Sequence, residues 1–168
     1  MAVVTVKGVQ ATNRDATPPI ISDGRVSRSS IKESSDYVTV TSGDSIASKY
    51  ILGNVPSSAR VSDVLLSCAA ITSGAADVGV YRNTADGGAV VSAGFFGTAV
   101  SIASVLTNSS ILNESTTNTV DKQNQPLWQA LGLSADPMTT FDIVATLTAA
   151  AAATGFLGLR VRYADNSN

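Results

Sequence analysis

The sequence predicts an all-β domain in the form of an antiparallel β-sandwich. Apolar and polar residues alternate with period two in several short segments, which is typical of strands with one buried face. Turn-forming clusters of Gly, Asn, Asp and Ser separate these segments at the spacing expected of an antiparallel sandwich, and no internal repeat is visible. We therefore expect about eight strands in a jelly-roll-like sandwich with an extended N-terminal arm and one short helix.

The composition favours a protein that makes large contacts. Charged residues are 14% of the 168 residues, against about a quarter in an ordinary globular chain. Ser, Thr, Ala and Gly take their place. A surface poor in charge loses little hydration when another molecule covers it.

Residues 1–35 differ from the rest of the chain and predict an arm, with residues 36–168 forming the sandwich. The arm holds five of the 11 basic residues and three of the 13 acidic ones, so it is +2 and the remainder −4, for a total of −2. Pro18-Pro19 favours extended backbone, and Asp23-Gly24 marks a turn. Its apolar anchors, too many for a free tail, are Val4, Val9, Ile20, Ile21 and Ile31. The alternative is a first strand preceded by a loose leader.

The first strands of the sandwich follow in order. Residues 37–41 alternate, and Ile46–Leu52 is expected to form a second strand. Residues 60–82 then form two strands with one buried face, joined by a turn at Thr72-Ser73-Gly74 in which Gly supplies the positive φ. Cys68 falls on the apolar face, where we expect a buried core thiol.

The middle of the chain is less regular. Asn83–Gly88 is the strongest turn signal. Residues 89–103 fit either two strands separated by a loop around Phe95-Phe96 or a short helix. Residues 107–124 are polar and predict a long loop with one edge strand, and Pro126 opens the only convincing helix, which ends at Gly132. We expect Trp128 in this helix to close one end of the sandwich.

The C-terminal stretch predicts a hairpin. Phe141 to Leu147 and Leu157 to Tyr163 both alternate, on either side of a TAAAAAT loop. Arg160 and Arg162 project together from the face opposite the core. We interpret them as a solvated face, with a basic contact patch as the alternative.

The residue types speak against catalysis. The chain has no His, which removes the commonest general base and metal ligand, and no phosphate-binding glycine loop. We expect no catalytic residue, no cofactor and no metal site, and interpret Asp44 and Asp86 as turn residues. A glycosidase-like pair of carboxylates assembled in space stays open as an alternative.

The charge and the N-terminus define the expected surroundings. A net charge of −2 argues against nucleic acid as a partner. The N-terminal segment MAVVTVKGVQ has no long apolar run and no cleavage signal, so we expect no signal peptide. The apolar run Ala149–Ala153 is too short to span a bilayer, so we expect no membrane association.

Several short motifs, in order, resemble the decoration or cement proteins of tailed bacteriophage heads. They are Thr12-Asn13-Arg14-Asp15-Ala16-Thr17, Ser57-Ser58-Ala59-Arg60-Val61 running into LLSCAAI, GVYR with its Gly-Gly turn, Phe95-Phe96, LWQALGL and Ala135-Asp136-Pro137. The resemblance extends from about residue 5 to Tyr163.

The resemblance implies a jelly roll that binds the outside of the capsid, with the major capsid protein and further copies of itself, as a dimer or trimer, as partners. It implies a location on the virion surface after assembly in the host bacterial cytoplasm. It transfers no catalytic residues. A head-fibre, tail or receptor-binding module is the alternative, which a surface aromatic cluster would favour.

The arm is the candidate interface. Its predicted contact residues are Asn13, Arg14, Asp15, Ile20, Ile21, Arg25, Arg28 and Ile31. Burying the isoleucines would offset the cost of ordering the arm, and the polar triplet would supply directional hydrogen bonds. The alternative for that triplet is a local turn within its own chain.

Overall fold

A computed structural model describes residues 4, 6–21, 24, 26 and 29–165. In this part of the chain, eight strands and two short helices form a single sandwich, which confirms the all-β prediction. The strands are β1 (Ile31–Val40), β2 (Lys49–Pro56), β3 (Arg60–Cys68), β4 (Ala75–Arg82), β5 (Val90–Ser101), β6 (Leu106–Ser110), β7 (Thr140–Ala149) and β8 (Gly155–Ala164).

The strands form two antiparallel sheets of four. The order is β1-β8-β3-β6 in one sheet, called sheet A, and β2-β7-β4-β5 in the other, called sheet B. Four strand pairs follow from this order: β1 with β8, β2 with β7, β3 with β6, and β4 with β5. The chain can be pictured as one long hairpin of these four pairs, in which successive pairs lie alternately in sheet A and sheet B. This topology is a jelly roll, as expected.

The sequence predicted two pairs of neighbouring strands that do not pair with each other in the structure. Residues 60–82 do form strands β3 and β4, but β3 lies in sheet A and β4 in sheet B. The C-terminal strands β7 and β8 are separated in the same way, so they are not a hairpin. Their alternation was interpreted correctly, but each buried face meets the opposite sheet rather than continuing in a neighbouring strand.

The predicted turn at Asn83–Gly88 is confirmed, and it joins β4 and β5 as a hairpin. Asn83 accepts the Asp86 N–H at 2.8 Å, and Gly87 and Gly88 take positive φ angles of 83° and 62°. Strand β5 runs from Val90 to Ser101 as one strand, which corrects both expectations for this segment. Its pairing is interrupted between Ser92 and Gly97, so the irregularity lies at the predicted Phe95-Phe96 position.

The core fills the space between the sheets. Its largest fully buried side chains include Phe95, Phe96, Phe141, Leu52 and Leu66. Cys68 is also buried there, as expected. Helix α2 (Leu127–Ala130) places Leu127 and Ala130 in the core, whereas Trp128 is only half-buried. The prediction that Trp128 closes the sandwich is therefore wrong, because the short helix turns its neighbours inward.

Three local predictions need correction. The second strand is shifted, from the expected Ile46–Leu52 to Lys49–Pro56. In the turn between β3 and β4, the positive φ of 63° belongs to Ser73. Gly74 is needed there for space, since a Cβ would lie 2.8 Å from Ile102 Cγ1 and from the Ile71 carbonyl oxygen. The predicted edge strand within the polar segment is confirmed as β6.

The predicted arm is neither wholly extended nor wholly outside the sandwich. Residues Val9–Arg14 form helix α1. Residues 31–35 belong to β1 and pair with β8, so the sandwich begins at Ile31. Local hydrogen bonds such as Thr12 N–H to the Gly8 carbonyl stabilise helix α1. Residues 31–35 instead form backbone hydrogen bonds with the edge of β8.

Candidate interaction surface

The arm leaves the sandwich at one end. Ile31 and Arg60 both pair with Ala164. The start of β1, the end of β8 and the β2–β3 turn therefore lie at the same end of the sandwich. The β4–β5 turn and the long β6–β7 connection lie at the same end, where Asn83 Nδ2 donates to the Thr140 carbonyl at 3.2 Å. We call this the arm end. The opposite, far end carries residues 41–48, 69–74, 102–105 and 150–154.

The polar triplet of the arm makes contacts within its own segment. Lys7 Nζ and Arg14 Nε each lie 2.7 Å from the Asp15 carboxylate. Hydrogen bonds from Arg14, and then from Lys7, lower the pKa of Asp15. The Asn13 carbonyl accepts the N–H groups of Ala16 and Ile20 at 3.4 and 3.0 Å. These contacts agree with the local-turn alternative, and the interface role of the triplet stays a prediction.

The apolar side chains of the arm are not buried on their own sandwich. Helix α1 has no buried residue. Ile20 and Ile21 are 57% and 95% exposed, and Val4, Val6 and Val9 are also exposed. Burial of exposed apolar side chains against another surface is favourable, because it removes them from water. The exposed side chains of the arm are therefore suited to contact another molecule. Arg25 and Arg28 lie outside the described residues.

Ion pairs join β1, the strand that follows the arm, to β8 and the residue after it. Glu33 Oε2 lies 3.0 Å from Arg162 Nε, and Glu33 Oε1 lies 3.3 Å from Arg160 Nε. Lys32 Nζ lies 3.5 Å from the buried carboxylate of Asp165. Arg160 and Arg162 do project from the outer face of sheet A, and Glu33 neutralises part of their charge. Ile31, half-exposed at 54%, begins this segment.

A buried hydrogen-bond cluster orders the loops of the arm end, and sequence reasoning missed it. The buried Ser57 hydroxyl donates to Asp136 Oδ1 and accepts the Thr139 N–H at 3.2 Å. Asp136 Oδ1 also accepts the Met138 N–H at 2.9 Å. The Asp-Pro pair at 136–137 was a usable turn signal, but its distant partner Ser57 could not be read from local pattern.

The outer face of sheet A carries a second feature, a shallow groove of about 290 Å³ above Gly158. Tyr37 stands at its rim and meets Phe156 edge-to-face, with ring centroids 6.0 Å apart. Both rings are exposed, at 68% and 59%. Asn108 and Arg160 also line the groove. Sequence reasoning missed this aromatic pair because its members come from opposite ends of the sandwich sequence.

Acidic and thiol side chains are the metal-binding and reactive candidates among the described residues. None of them form a group of three or more Asp, Glu or Cys side chains that could hold a metal ion. Burial raises the pKa of the Cys68 thiol, which favours its unreactive form. Asp44 acts as a turn residue: it accepts the Tyr50 hydroxyl at 2.6 Å and the Thr41 N–H at 2.8 Å. No helix in the described ranges is both long and apolar enough to cross a bilayer.

Comparison with known proteins finds a similar fold but no similar sequence. No protein-family model and no curated protein matches the sequence. A chain of the cyanophage Pam1 capsid asymmetric unit has a similar structure, with a TM-score of 0.52 and 20% identical residues. The similarity covers 81% of this chain and 85% of the Pam1 chain. At this identity the similarity establishes a shared fold.

Proposed function

We propose that the protein is a structural component of a phage virion that binds the outer surface of the head and cements neighbouring capsid subunits. Its role is mechanical and non-catalytic: it adds buried contact area between subunits of the shell. The capsid context is supported by the Pam1 capsid chain, which has the same fold. The major capsid protein is the proposed main partner, with further copies of the chain as the second.

The unpartnered arm is the observation that carries this proposal. Its described isoleucines, Ile20 and Ile21, project into solvent from a segment whose helix buries nothing on its own sandwich. A segment of this kind gains its stabilisation from a neighbouring surface, as segments that order on binding do. Bridging from one subunit to another is therefore the arm's natural use.

Co-sedimentation with undecorated heads of the cognate phage tests the proposal. The full chain is compared with a chain lacking residues 1–30, a boundary that keeps β1 intact. Ile20→Ser/Ile21→Ser serves as a point variant, and Ile46→Ser, at an exposed far-end position, serves as its matched control. We expect saturable pelleting of the full chain and the control, and weak pelleting of the other two. Absence of binding by the full chain would reject the cementing role.

A receptor-binding module is the second candidate, and the exposed Tyr37–Phe156 pair favours it. Aromatic faces beside amide and guanidinium groups can stack on and hydrogen-bond to sugars. Binding of the purified protein to host-cell surface glycans tests this alternative. The receptor-binding function predicts saturable binding that the double variant Tyr37→Ala/Phe156→Ala abolishes. It is rejected if untreated and deglycosylated cells retain the parent protein and the double variant equally.

A further inference from the structure

We propose that Met138 is an anchor that inserts into an apolar pocket of the capsid protein, so that the sandwich stands on the shell with its arm end inward. This inference rests on the proposed function and adds the orientation of the protein and a contact residue outside the arm.

Met138 has the exposure expected of an anchor. It is 91% exposed, the highest value among the large apolar side chains of the described sandwich residues. Its side chain is long, flexible and polarisable, which suits insertion into a pocket of irregular shape, and Met is enriched in protein interfaces.

The backbone at Met138 is held in an unfavourable conformation. Its φ angle is 52°, in the left-handed region where Gly or Asn would be expected. Keeping a non-glycine residue there costs on the order of 1 kcal/mol. Four other described non-glycine residues also have positive φ, namely Ala47, Ser73, Ala99 and Asn108, but of the five only Met138 carries a large exposed apolar side chain. We therefore relate the cost at this position to what the Met side chain contacts.

The surrounding cluster presents Met138 rigidly. Asp136 Oδ1 accepts a hydrogen bond from the Met138 N–H at 2.9 Å. The hydroxyl of the buried Ser57 donates to Asp136 and accepts from the Thr139 N–H. The Ser57 N–H also donates to the Thr139 carbonyl at 2.8 Å, and Pro137 fixes its own φ. Little backbone freedom remains to be lost on binding, so more of the contact energy appears as affinity.

The location of Met138 favours the partner proposed for the arm. Met138 lies at the end of the sandwich where β1 begins, so a partner bound close to the start of β1 would also face Met138. The groove beside it, about 390 Å³, is bordered by Asn83, Thr139 and the Arg82–Asp86 ion pair, whose charges are joined at 2.8 Å. An apolar projection with a polar rim of balanced charge has the anatomy of a protein interface.

Three full-length variants test the anchor on undecorated heads. Met138→Asp should weaken binding about tenfold or more, a loss typical of an anchor residue. Met138→Leu should bind like the parent protein. Ile46→Asp, at a similarly exposed position of the far end, should also bind like the parent. Thermal unfolding should be nearly unchanged in all three, because the side chains are exposed.

Met138→Gly separates an anchor from a structural residue. Glycine relieves the left-handed backbone, so this variant should unfold at a higher temperature than the parent. It should nevertheless bind heads less tightly. A structural role predicts that stability and binding change together, so a Met138→Gly variant that is more stable and binds normally would overturn the proposal.

Three further results of the head-binding experiment would contradict the Met138 anchor. If Ile46→Asp loses binding and Met138→Asp keeps it, the far end faces the shell and the proposed orientation is wrong. If the parent binds heads only weakly, and light scattering shows an oligomer that only Met138→Asp disrupts, the partner of Met138 is a second copy and not the capsid. If the parent neither binds heads nor self-associates, both the cementing role and the anchor are rejected.

Discussion

Glu33 Oε2 lies 3.0 Å from Arg162 Nε, joining the strand that follows the arm to the last strand of the sandwich. The same carboxylate reaches Arg160 on its other side. A single carboxylate near the start of the described sandwich thus compensates part of the charge of two arginines near its end.

Removal of this carboxylate should have a small effect on stability. In Glu33→Gln the two arginines lose their ionic partner, but all three side chains are partly exposed to solvent. We expect the free energy of unfolding to fall by about 1 kcal/mol or less, and less still at high salt. Chemical denaturation at two salt concentrations measures this. A loss of several kcal/mol would mean that β1 depends on the ion pairs for its pairing.

A methyl group at Gly79 should disrupt the sandwich. A Cβ at this position would overlap the carbonyl oxygens of Ser92 and Ala93, which belong to the interrupted part of β5. Because backbone must move, we expect Gly79→Ala to cost about 3 kcal/mol or more. Thermal unfolding measures the loss.

The matched control is Gly158→Ala, in the centre of β8. There a Cβ would be 3.4 Å from Tyr37 Cβ, an ordinary contact. We expect a change within about 1 kcal/mol. Equal losses in the two variants would contradict the close approach of β5 to Gly79.

Acid should weaken the far end through Asp44. Hydrogen bonds from Tyr50, and then from Thr41, lower the pKa of Asp44 in the folded protein. The carboxylate therefore stabilises the fold above its unfolded pKa of about 3.9, and this contribution is lost as pH falls through the lower folded value.

Tyr50→Phe should move the pKa of Asp44 upward, and Asp44→Asn should flatten the acid limb of the stability profile. Carboxyl carbon NMR titration measures the first, and denaturation between pH 2 and pH 6, around the reference range for Asp, measures the second. An unchanged Asp44 titration in Tyr50→Phe would contradict the assigned hydrogen bond.

The Cys68 thiol should react only when the sandwich opens. It is buried, donates to the Ser104 carbonyl at 3.4 Å, and has a pKa raised by burial. We expect modification by an aromatic disulfide reagent to be at least about 100-fold slower than in denaturant, because core opening costs several kcal/mol. Equal rates in the two conditions would place the thiol at the surface.

Local pattern predicted the β-strands well where one face is buried. The alternation in residues 60–68 and 141–147 marks the core faces of β3 and β7, with Val64, Leu66, Phe141 and Ile143 buried as expected. The Asp86-Gly87-Gly88 turn was also predictable, because positive φ angles require particular residues.

The candidate surface was predicted only in part. The arm and its isoleucines stand out by composition, whereas helix α1 does not. Met138, the Ser57–Asp136 hydrogen bond and the Tyr37–Phe156 pair depend on residues that are distant in sequence. Nothing in the local pattern around any one of them reveals its partner.

The sequence alone thus determined the class of fold and the Asp86-Gly87-Gly88 turn, because these depend on side-chain periodicity and on backbone preference. Its composition also set the apolar N-terminal segment apart from the rest. Only the tertiary structure decided which strands pair. The inner faces of β3, β4, β7 and β8 are all apolar, so local pattern does not distinguish the possible partners of each strand. Rolling the chain as β1 with β8 and β2 with β7 buries all of these faces at once, and it brings the arm and Met138 to the same end.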